Sequence, residues 1–166
     1  MKLRMKIRGD KELRAKLMEY AKKYPEATAA ALYQEGFGVM RVSQRKVPVD
    51  TGRLRATGYV APPQEGRGGV YVELGYGTTY GIYVHERTEL KHKVGEAKFL
   101  QKALQERSSG YFRRLAAKVK RNVTAGVGVS ALRSPYPKSP EEGEKKFEAR
   151  QKRKGQKRGR KKKEGQ

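Results

Sequence analysis

Hydrophobic side chains recur with two different periods along this sequence. In the N-terminal third, and again from Glu96, they recur every three or four positions, which is typical of helices with one buried face. Between those regions they alternate with polar residues, which is typical of half-buried strands. The pattern predicts an α+β fold, in which a small antiparallel β-sheet packs against an N-terminal helical region and a C-terminal helix.

The N-terminal region is predicted to contain one short strand and two helices. The alternation from Leu3 to Ile7 favours a strand that Gly9 would end. Asp10 is a suitable N-cap for the first helix, and Pro25 suits the first turn of the second. Residues at helical spacing in the second helix, several of them small, predict that another helix or the sheet approaches it closely: Ala27, Ala30, Ala31, Gln34 and Gly38.

Three strands are predicted in the central region. They run from Leu54 to Ala61, from Val70 to Leu74 and from Tyr80 to Val84. The segments Gly66 to Gly69 and Tyr76 to Thr79 read as turns. Because such short connections join neighbouring antiparallel strands, we expect an antiparallel sheet.

A helix is predicted to begin near Glu96, with a kink or a break at Ser108-Ser109-Gly110. Its apolar stripe predicts that Phe99 and Leu104 are buried against the sheet, while Lys98 and Lys102 lie on the polar face.

Composition divides the chain into three predicted parts. Residues 1–121 are expected to form the α+β domain, and the Gly-, Ser- and Pro-rich residues 122–149 a linker. Residues 150–166 form a Lys/Arg-rich tail, which should be disordered in isolation because its like charges repel and it lacks a core. Its candidate contacts to an anionic partner are Arg150, Lys152, Arg153, Lys154, Lys157, Arg158, Arg160, Lys161, Lys162 and Lys163.

The segment from Val47 to Arg55 is predicted to be a tight turn between the helical and β-rich regions. Pro48 disfavours helical backbone at the residue before it, so the helix should end there. The side chains of Asp50 and Thr51 are suited to hydrogen bonds with nearby backbone groups, and Gly52 permits a positive φ.

The balance of charge changes the picture of function. The chain has 40 basic and 17 acidic residues, a net charge of +23, and no cysteine. The absence of cysteine excludes disulfides and thiolate metal sites. The charge favours nucleic acid or an acidic protein surface as partner, whereas a membrane is disfavoured because no basic helix carries large apolar anchors. Without a long apolar run, we expect a soluble, unexported protein.

Asp50-Thr51-Gly52 also matches the short signature of aspartic proteases. Those enzymes need two carboxylates that share a proton, so a single copy would require a dimer. Arg53 and Arg55 lie close in the sequence and would favour the ionised form of the carboxylate. A structural turn is therefore the favoured interpretation.

His85, Glu86 and His92 are the other candidates for acid–base chemistry or metal binding. Two histidines without a cysteine or a carboxylate cluster are a poor ligand set, so we expect His85 and Glu86 to form a cross-strand polar pair. The sequence contains no nucleophile elbow, phosphate loop or dinucleotide fingerprint. We expect no enzymatic activity, no cofactor and no metal.

Four tyrosines cluster on and beside the predicted strands: Tyr71, Tyr76, Tyr80 and Tyr83. Stacking on nucleic-acid bases is one interpretation. Packing on the sheet face or at a subunit contact is favoured, because the sequence lacks the basic–aromatic pattern of RNA-binding sheets.

Three motifs in fixed order resemble a family of tailed-bacteriophage proteins. After a helix come the turn Val47 to Arg55, then Tyr80 to Thr88 (YGIYVHERT), then Gly95 to Leu104 (GEAKFLQKAL). The chain from Met5 to Val119 is similar in this order to the neck or tail-completion proteins typified by gene product ten of a lambdoid phage.

The resemblance implies a structural virion protein, made in the host cytoplasm and placed where the DNA-filled head joins the tail. It implies a homo-oligomeric ring, hexameric or dodecameric, around the DNA channel, with head-completion and tail proteins as neighbours and no catalysis. Neck and tail-terminator roles both stay open. The turn and the loop from Gly66 to Gly69 are the candidate contacts, and the basic tail lies outside the resemblance. The alternative is a protein that binds nucleic acid nonspecifically through its basic surface.

Overall fold

The computed structural model describes residues 2–3, 11–67, 69–89, 91 and 93–163, with only the backbone described at 2–3 and 157–163. The helices in these ranges are α1 (Lys11–Lys23), α2 (Pro25–Lys46), α3 (Arg53–Ala56), α4 (Gly81–Glu86), α5 (Phe99–Ser108), α6 (Tyr111–Ala125) and α7 (Pro140–Lys163). The strands are β1 (Lys2–Leu3), β2 (Gly58–Val60), β3 (Gln64–Gly66), β4 (Gly69–Tyr71) and β5 (Leu74–Tyr76), and a short 3-10 turn covers Val129–Ala131.

The strands form two small antiparallel sheets. In the larger sheet β5 lies between β1 and β2, with Leu74 opposite both Leu3 and Val60. In the smaller one β3 and β4 form a hairpin, with Glu65 opposite Val70. The predicted α+β class is confirmed, and so is the antiparallel pairing.

Helix α2 lies at the centre of the fold and has hydrophobic clusters on two sides. Its C-terminal half, including Val39 and Met40, packs with the larger sheet and α5 in the main core. Its N-terminal half packs with α1 and α6 in a second cluster that includes Leu17, Ala31 and Leu115. Helix α2 therefore takes part in both hydrophobic clusters of the fold.

Small side chains let α6 approach α2 closely, as the spacing predicts. Ala27, Ala30 and Ala31 are buried. Asn122 on α6 is also buried, and its Nδ2 donates a hydrogen bond to the carbonyl oxygen of Ala27 at 3.2 Å. This bond satisfies a buried amide at the contact between the two helices.

Two of the predicted central strands are wrong in part. The segment predicted as a strand from Leu54 begins as helix α3, and strand β2 starts only at Gly58. The strand predicted from Val70 to Leu74 is divided between β4 and β5, which belong to different sheets. Val72 lies between them and packs against the main core. A Cβ added at Gly36 on α2 would lie 3.1 Å from the Val72 side chain.

The third predicted strand is wrong throughout, because Tyr80 to Val84 begins a helix, α4. Its buried residues are Gly81 and His85, four positions apart, which is helical spacing. The alternating apolar residues Ile82 and Val84 therefore do not define the buried face.

The C-terminal region is more helical than predicted. A break at Ser109-Gly110 separates α5 from α6, as expected, but α6 continues to Ala125, past the predicted start of the linker. Helix α7 begins at Pro140 and runs into the predicted tail. Residues of the expected linker therefore form the end of α6 and the start of α7, and the basic residues 150–163 continue α7.

In the N-terminal segment, Lys2–Leu3 is a strand, whereas Met5, Ile7, Gly9 and Asp10 lie outside the described residues. Among the helices that are described, none is both long and apolar enough to cross a membrane.

Candidate functional site

The turn after α2 has the predicted geometry at its glycine. The backbone N–H of Val47 donates to the carbonyl oxygen of Ser43 at 2.9 Å and closes the helix, and Pro48 follows. Gly52 has φ +81°, the left-handed conformation that glycine tolerates. Thr51 Oγ1 accepts a hydrogen bond from the N–H of Arg53 at 3.4 Å, so the hydroxyl helps to start α3.

The side chain of Asp50 is exposed at this turn. Within the described ranges, no group of three or more His, Cys, Asp or Glu residues is arranged to hold a metal ion. His92, one of the two candidate histidines, lies outside the described residues.

The segment before α5 runs beside the turn and is bonded to it. The N–H of Val49 donates to the carbonyl oxygen of Val94 at 3.4 Å, and the N–H of Glu96 donates to that of Lys46 at 2.8 Å. Gly95, between them, lies so close to the Val47–Pro48 peptide that an added Cβ would be 2.6 Å from its atoms. Two of the three motifs of the resemblance are therefore held together by main-chain contacts.

Helix α4 also contacts the start of α5. The carbonyl oxygen of His85 accepts a hydrogen bond from the N–H of Lys98 at 2.8 Å. The His85 ring meets Phe99 edge to face with ring centres 4.8 Å apart, and Phe99 meets Tyr76 in the same way at 5.1 Å. Phe99 thus lies between α4 and the sheet.

An open cleft of about 620 Å³ lies between the turn and α4. The turn from Pro48 to Leu54 forms one wall, and Tyr80 and Val84 belong to the other. Lys91 and Lys93 also line it. With Arg53 they outnumber the acidic lining residue Asp50, so the cleft is basic like the rest of the chain.

Two of the exposed residues of α4 are large and apolar. Ile82 and Tyr83 are each 54% exposed, and Tyr80 just before the helix is 42% exposed. Val94, on the segment beside the turn, is 56% exposed and lines the same cleft as Tyr80. We call these four residues the α4 surface. Arg87 extends over the ring of Tyr83 with its guanidinium carbon 4.4 Å from the ring centre, which leaves a cation at the edge of this surface.

His85 and Glu86 form a pair within one helix, so the expected cross-strand pairing is wrong. His85 Nδ1 lies 2.8 Å from Glu86 Oε1. Burial lowers the pKa of His85, and the attraction of Glu86 opposes this effect only in part. Glu86 also pairs with Lys98, and this lysine is the main cause of its lowered pKa. The pair connects α4 to the start of α5.

The four candidate tyrosines do not form one cluster. Tyr76 is buried in the main core, where its hydroxyl lies 2.8 Å from Ser43 Oγ, and its pKa is raised mainly by burial. Tyr71 is on the hairpin and donates to Gln64 Oε1 at 2.8 Å. Tyr80 and Tyr83 belong to the α4 surface. The expected packing on the sheet therefore holds for Tyr76, whereas the rings of Tyr80 and Tyr83 are exposed.

The base of α7 is attached to the turn and to α3. Glu144 Oε2 accepts a hydrogen bond from Arg53 Nη2 at 2.8 Å. Gly143 packs against the backbone of Thr57, where a Cβ would lie 3.0 Å from the Thr57 Cα. Arg53 belongs to the predicted turn segment, so this segment contacts both the α4 cleft and the C-terminal helix.

Sequence reasoning missed α7, although its start has a recognisable signal. Ser139 Oγ accepts from the N–H of Glu142 at 3.3 Å, which is the geometry of an N-cap, and Pro140 occupies the first helical position. Glu142 also reaches back to the N–H of Lys138 at 2.7 Å. Ser139-Pro140-Glu141-Glu142 is therefore close to a capping box, and it was hidden inside a segment that composition marks as a linker.

The predicted partner contacts all lie on α7. The side chains of Arg150, Lys152, Arg153 and Lys154 are exposed on α7. Lys157, Arg158, Arg160, Lys161, Lys162 and Lys163 lie on helical backbone, and their side chains are outside the description.

No protein-family model matches the chain, and comparisons with curated proteins and with solved structures found no match.

Proposed function

We propose that this protein is a structural subunit of the head–tail junction of a tailed bacteriophage, where copies assemble into a ring through the α4 surface. The α4 surface carries this proposal. Helix α4 buries a glycine and a histidine and turns Ile82 and Tyr83 towards solvent. A short helix that exposes two large apolar side chains is suited to contact another molecule.

The contacts among the three motifs support the same proposal. The turn, α4 and the start of α5 are the segments that resemble neck or tail-completion proteins, and they are bonded to one another around Phe99 and Gly95. The cleft and the α4 surface lie on this unit. A subunit contact there would bury Ile82, Tyr83 and Val94 against a neighbouring copy or an adjacent virion protein.

The proposal is tested by replacing Ile82 with glutamate. Because Ile82 is exposed, Ile82→Glu should leave the fold intact while it places a charge in the proposed interface. Light scattering on the purified wild-type chain should give the mass of a defined oligomer, and Ile82→Glu should shift this mass to that of smaller species.

Met18→Glu is the matched control, because Met18 is 56% exposed, close to the 54% of Ile82, but lies on α1 and not on α4. It should leave the oligomer unchanged. Negative-stain images of the wild-type oligomer should show a ring with a channel wide enough for duplex DNA. A monomeric wild-type protein, or equal effects of the two substitutions, would contradict the proposal.

A further inference from the structure

Helix α7 changes in character along its length. Its first nine residues include Glu141, Glu142, Glu144 and Glu148, whereas from Arg150 to Lys163 ten residues are basic and none is acidic. Acidic residues near the N-terminus and basic residues near the C-terminus both match the helix dipole. This polarity, together with the cap at Ser139, explains why the basic segment continues a helix instead of being disordered.

The contacts of α7 change at the same place. Gly143 is buried against Thr57, and Phe147 is half-buried. From Glu148 to Gln156 every residue is exposed. The helix therefore has a base attached to α3 and an arm, residues 150–163, which would extend over about 20 Å at the rise of an α-helix.

The composition of the arm limits what it can bind. It contains no apolar and no aromatic residue. Protein interfaces bury apolar or aromatic side chains at their centre, and membrane-binding helices need an apolar face, so neither type of partner suits the arm. Proteins that bind single strands stack bases on aromatic rings, which the arm also lacks. Duplex nucleic acid offers a dense line of phosphates, about one charge per 1.7 Å, and requires only cations.

Three of the described basic side chains at the start of the arm share one side of the helix. Arg150, Arg153 and Lys154 are spaced i, i+3 and i+4 and are exposed. In the free protein these like charges repel one another, whereas a phosphate backbone would neutralise them. A helix of about 10–12 Å diameter also fits the major groove of B-DNA, which is about 12 Å wide.

We infer that the arm of α7 is a binding site for the phosphate backbone of duplex DNA. The base of α7 is attached to α3 through Arg53 and Glu144, and the arm continues the same helix, so bound DNA would lie at a fixed position relative to the turn. This inference is independent of the proposed ring, because a single copy of the chain contains the whole arm.

The test measures binding of the full chain to a labelled duplex of about 25 base pairs, longer than the arm, at several salt concentrations. The triple variant R150Q/R153Q/K154Q removes three charges from the arm. The control K11Q/R14Q/K16Q removes three charges from exposed positions on α1. Each phosphate contact contributes about 0.9 to the slope of log K against log salt, so the arm variant should lose about 2 to 3 from the slope. The control should lose less than about 1.

Three outcomes would overturn the inference. Equal loss of slope in both triple variants would mean that net charge, not the arm, determines binding. Tighter binding of single-stranded DNA than of duplex would exclude duplex as the partner. Binding of poly-glutamate as tight as that of the duplex, with the same dependence on the arm, would assign the arm to an acidic protein. Light scattering on the same samples measures the mass of the oligomer separately. If no ring forms, the DNA-binding measurements still test the role of the arm.

Discussion

At the scale of single residues, two glycines hold the turn in different ways. Gly52 and Gly95 both have left-handed backbone, with φ +81° and +86°. No atom lies within 4 Å of the position that a Cβ would take at Gly52, whereas at Gly95 the Val47–Pro48 peptide lies 2.6 Å away. Gly52 therefore serves only the backbone conformation, while Gly95 also permits two segments to touch.

This difference predicts unequal effects of the same substitution. Gly52→Ala should cost about 1–2 kcal/mol, the strain of left-handed backbone in an alanine. Gly95→Ala adds a clash with main-chain atoms that cannot rotate away, so we expect a loss of at least about 3 kcal/mol. Urea denaturation of both variants measures the two losses. Similar losses would show that the contact between Gly95 and the turn is not close.

Glu35 is the residue that sequence reasoning overlooked. It lies on α2 with its side chain fully buried, and it pairs with Arg107 at 3.0 Å, Arg114 at 3.5 Å and Lys118. Burial alone would raise its pKa, but the hydrogen bonds from Lys118 and Arg107 outweigh this effect and the pKa is lowered. The cluster joins α2 to α5 and α6.

The lowered pKa of Glu35 predicts a stability that depends on pH. Its contribution should be complete above the unfolded-state pKa of about 4.3 and should be lost as the pH falls through the lower pKa of the folded state. Glu35→Gln should remove this part of the acid dependence. It should also cost about 3 kcal/mol at neutral pH, because cations that are mostly buried lose their counter-charge.

The control for Glu35 is Glu96, which also contacts two lysines but is 40% exposed. Glu96→Gln should cost less than about 1 kcal/mol, as is usual for exposed pairs. Chemical denaturation from pH 7 down to pH 3 measures both variants. If Glu96→Gln lost as much stability as Glu35→Gln, burial would not be what makes the Glu35 cluster important.

At the scale of secondary-structure elements, the apolar pattern predicts the buried face of α5 but not that of α4. On α5 the apolar stripe is the buried face, and Phe99, Leu100 and Ala103 are all fully buried. On α4 the buried residues are Gly81 and His85, whereas Ile82 and Tyr83 are exposed and Val84 is half-buried. An exposed apolar residue misleads any assignment that equates apolar with buried.

The buried face of α5 predicts a graded set of losses. Phe99→Ala should cost about 3–5 kcal/mol, because the ring fills the space between α4 and the sheet. Leu104 is half-buried, so its truncation should cost less than that of Phe99. Lys102→Ala should cost at most about 1 kcal/mol, because its pair with Glu96 is partly exposed. Thermal and urea denaturation give these values, and equal small losses at all three positions would mean that the buried face is misassigned.

At the scale of the whole molecule, the turn segment connects the proposed subunit contact at the α4 surface with the proposed DNA contact on α7. Arg53 lies in the turn beside the α4 cleft and binds Glu144 at the base of α7. The backbone at β2 strengthens this attachment, because the N–H of Val60 donates to the carbonyl oxygen of Pro137 at 3.0 Å. The α4 surface and the basic arm therefore extend from a common base formed by the turn, α3 and β2.

Charge is distributed unevenly in this arrangement. Acidic residues such as Glu35, Glu86 and Glu96 form ion pairs within the body, whereas the arm has no acidic residue before position 164. The net charge of +23 is thus least compensated in the arm, whose described side chains are exposed. This is the reason that the arm, rather than the body, is the proposed DNA contact.

The sequence by itself determined the features that depend on local chemistry. Pro48 ended α2, Gly52 took a positive φ, Pro25 opened a helix, and Ser109-Gly110 separated α5 from α6. The stripe on α5 and the α+β class were also predictable, because a long apolar period records a buried face directly. These features need only a few neighbouring residues.

Only the tertiary structure decided which short apolar segments are strands and which faces are buried. Tyr80 to Val84 alternates like a strand, yet the segment is helical because Gly81 fits closely against Leu54 and His85 packs on Phe99. Glu35 meets three cations that are more than 70 positions away in the sequence. Helix α7 extends into the basic segment because its base is capped and attached to α3. For α4 and Glu35 the deciding partner is distant in the sequence, so no local pattern could identify it. The cap of α7 is a local signal, and only its attachment to α3 depends on distant residues.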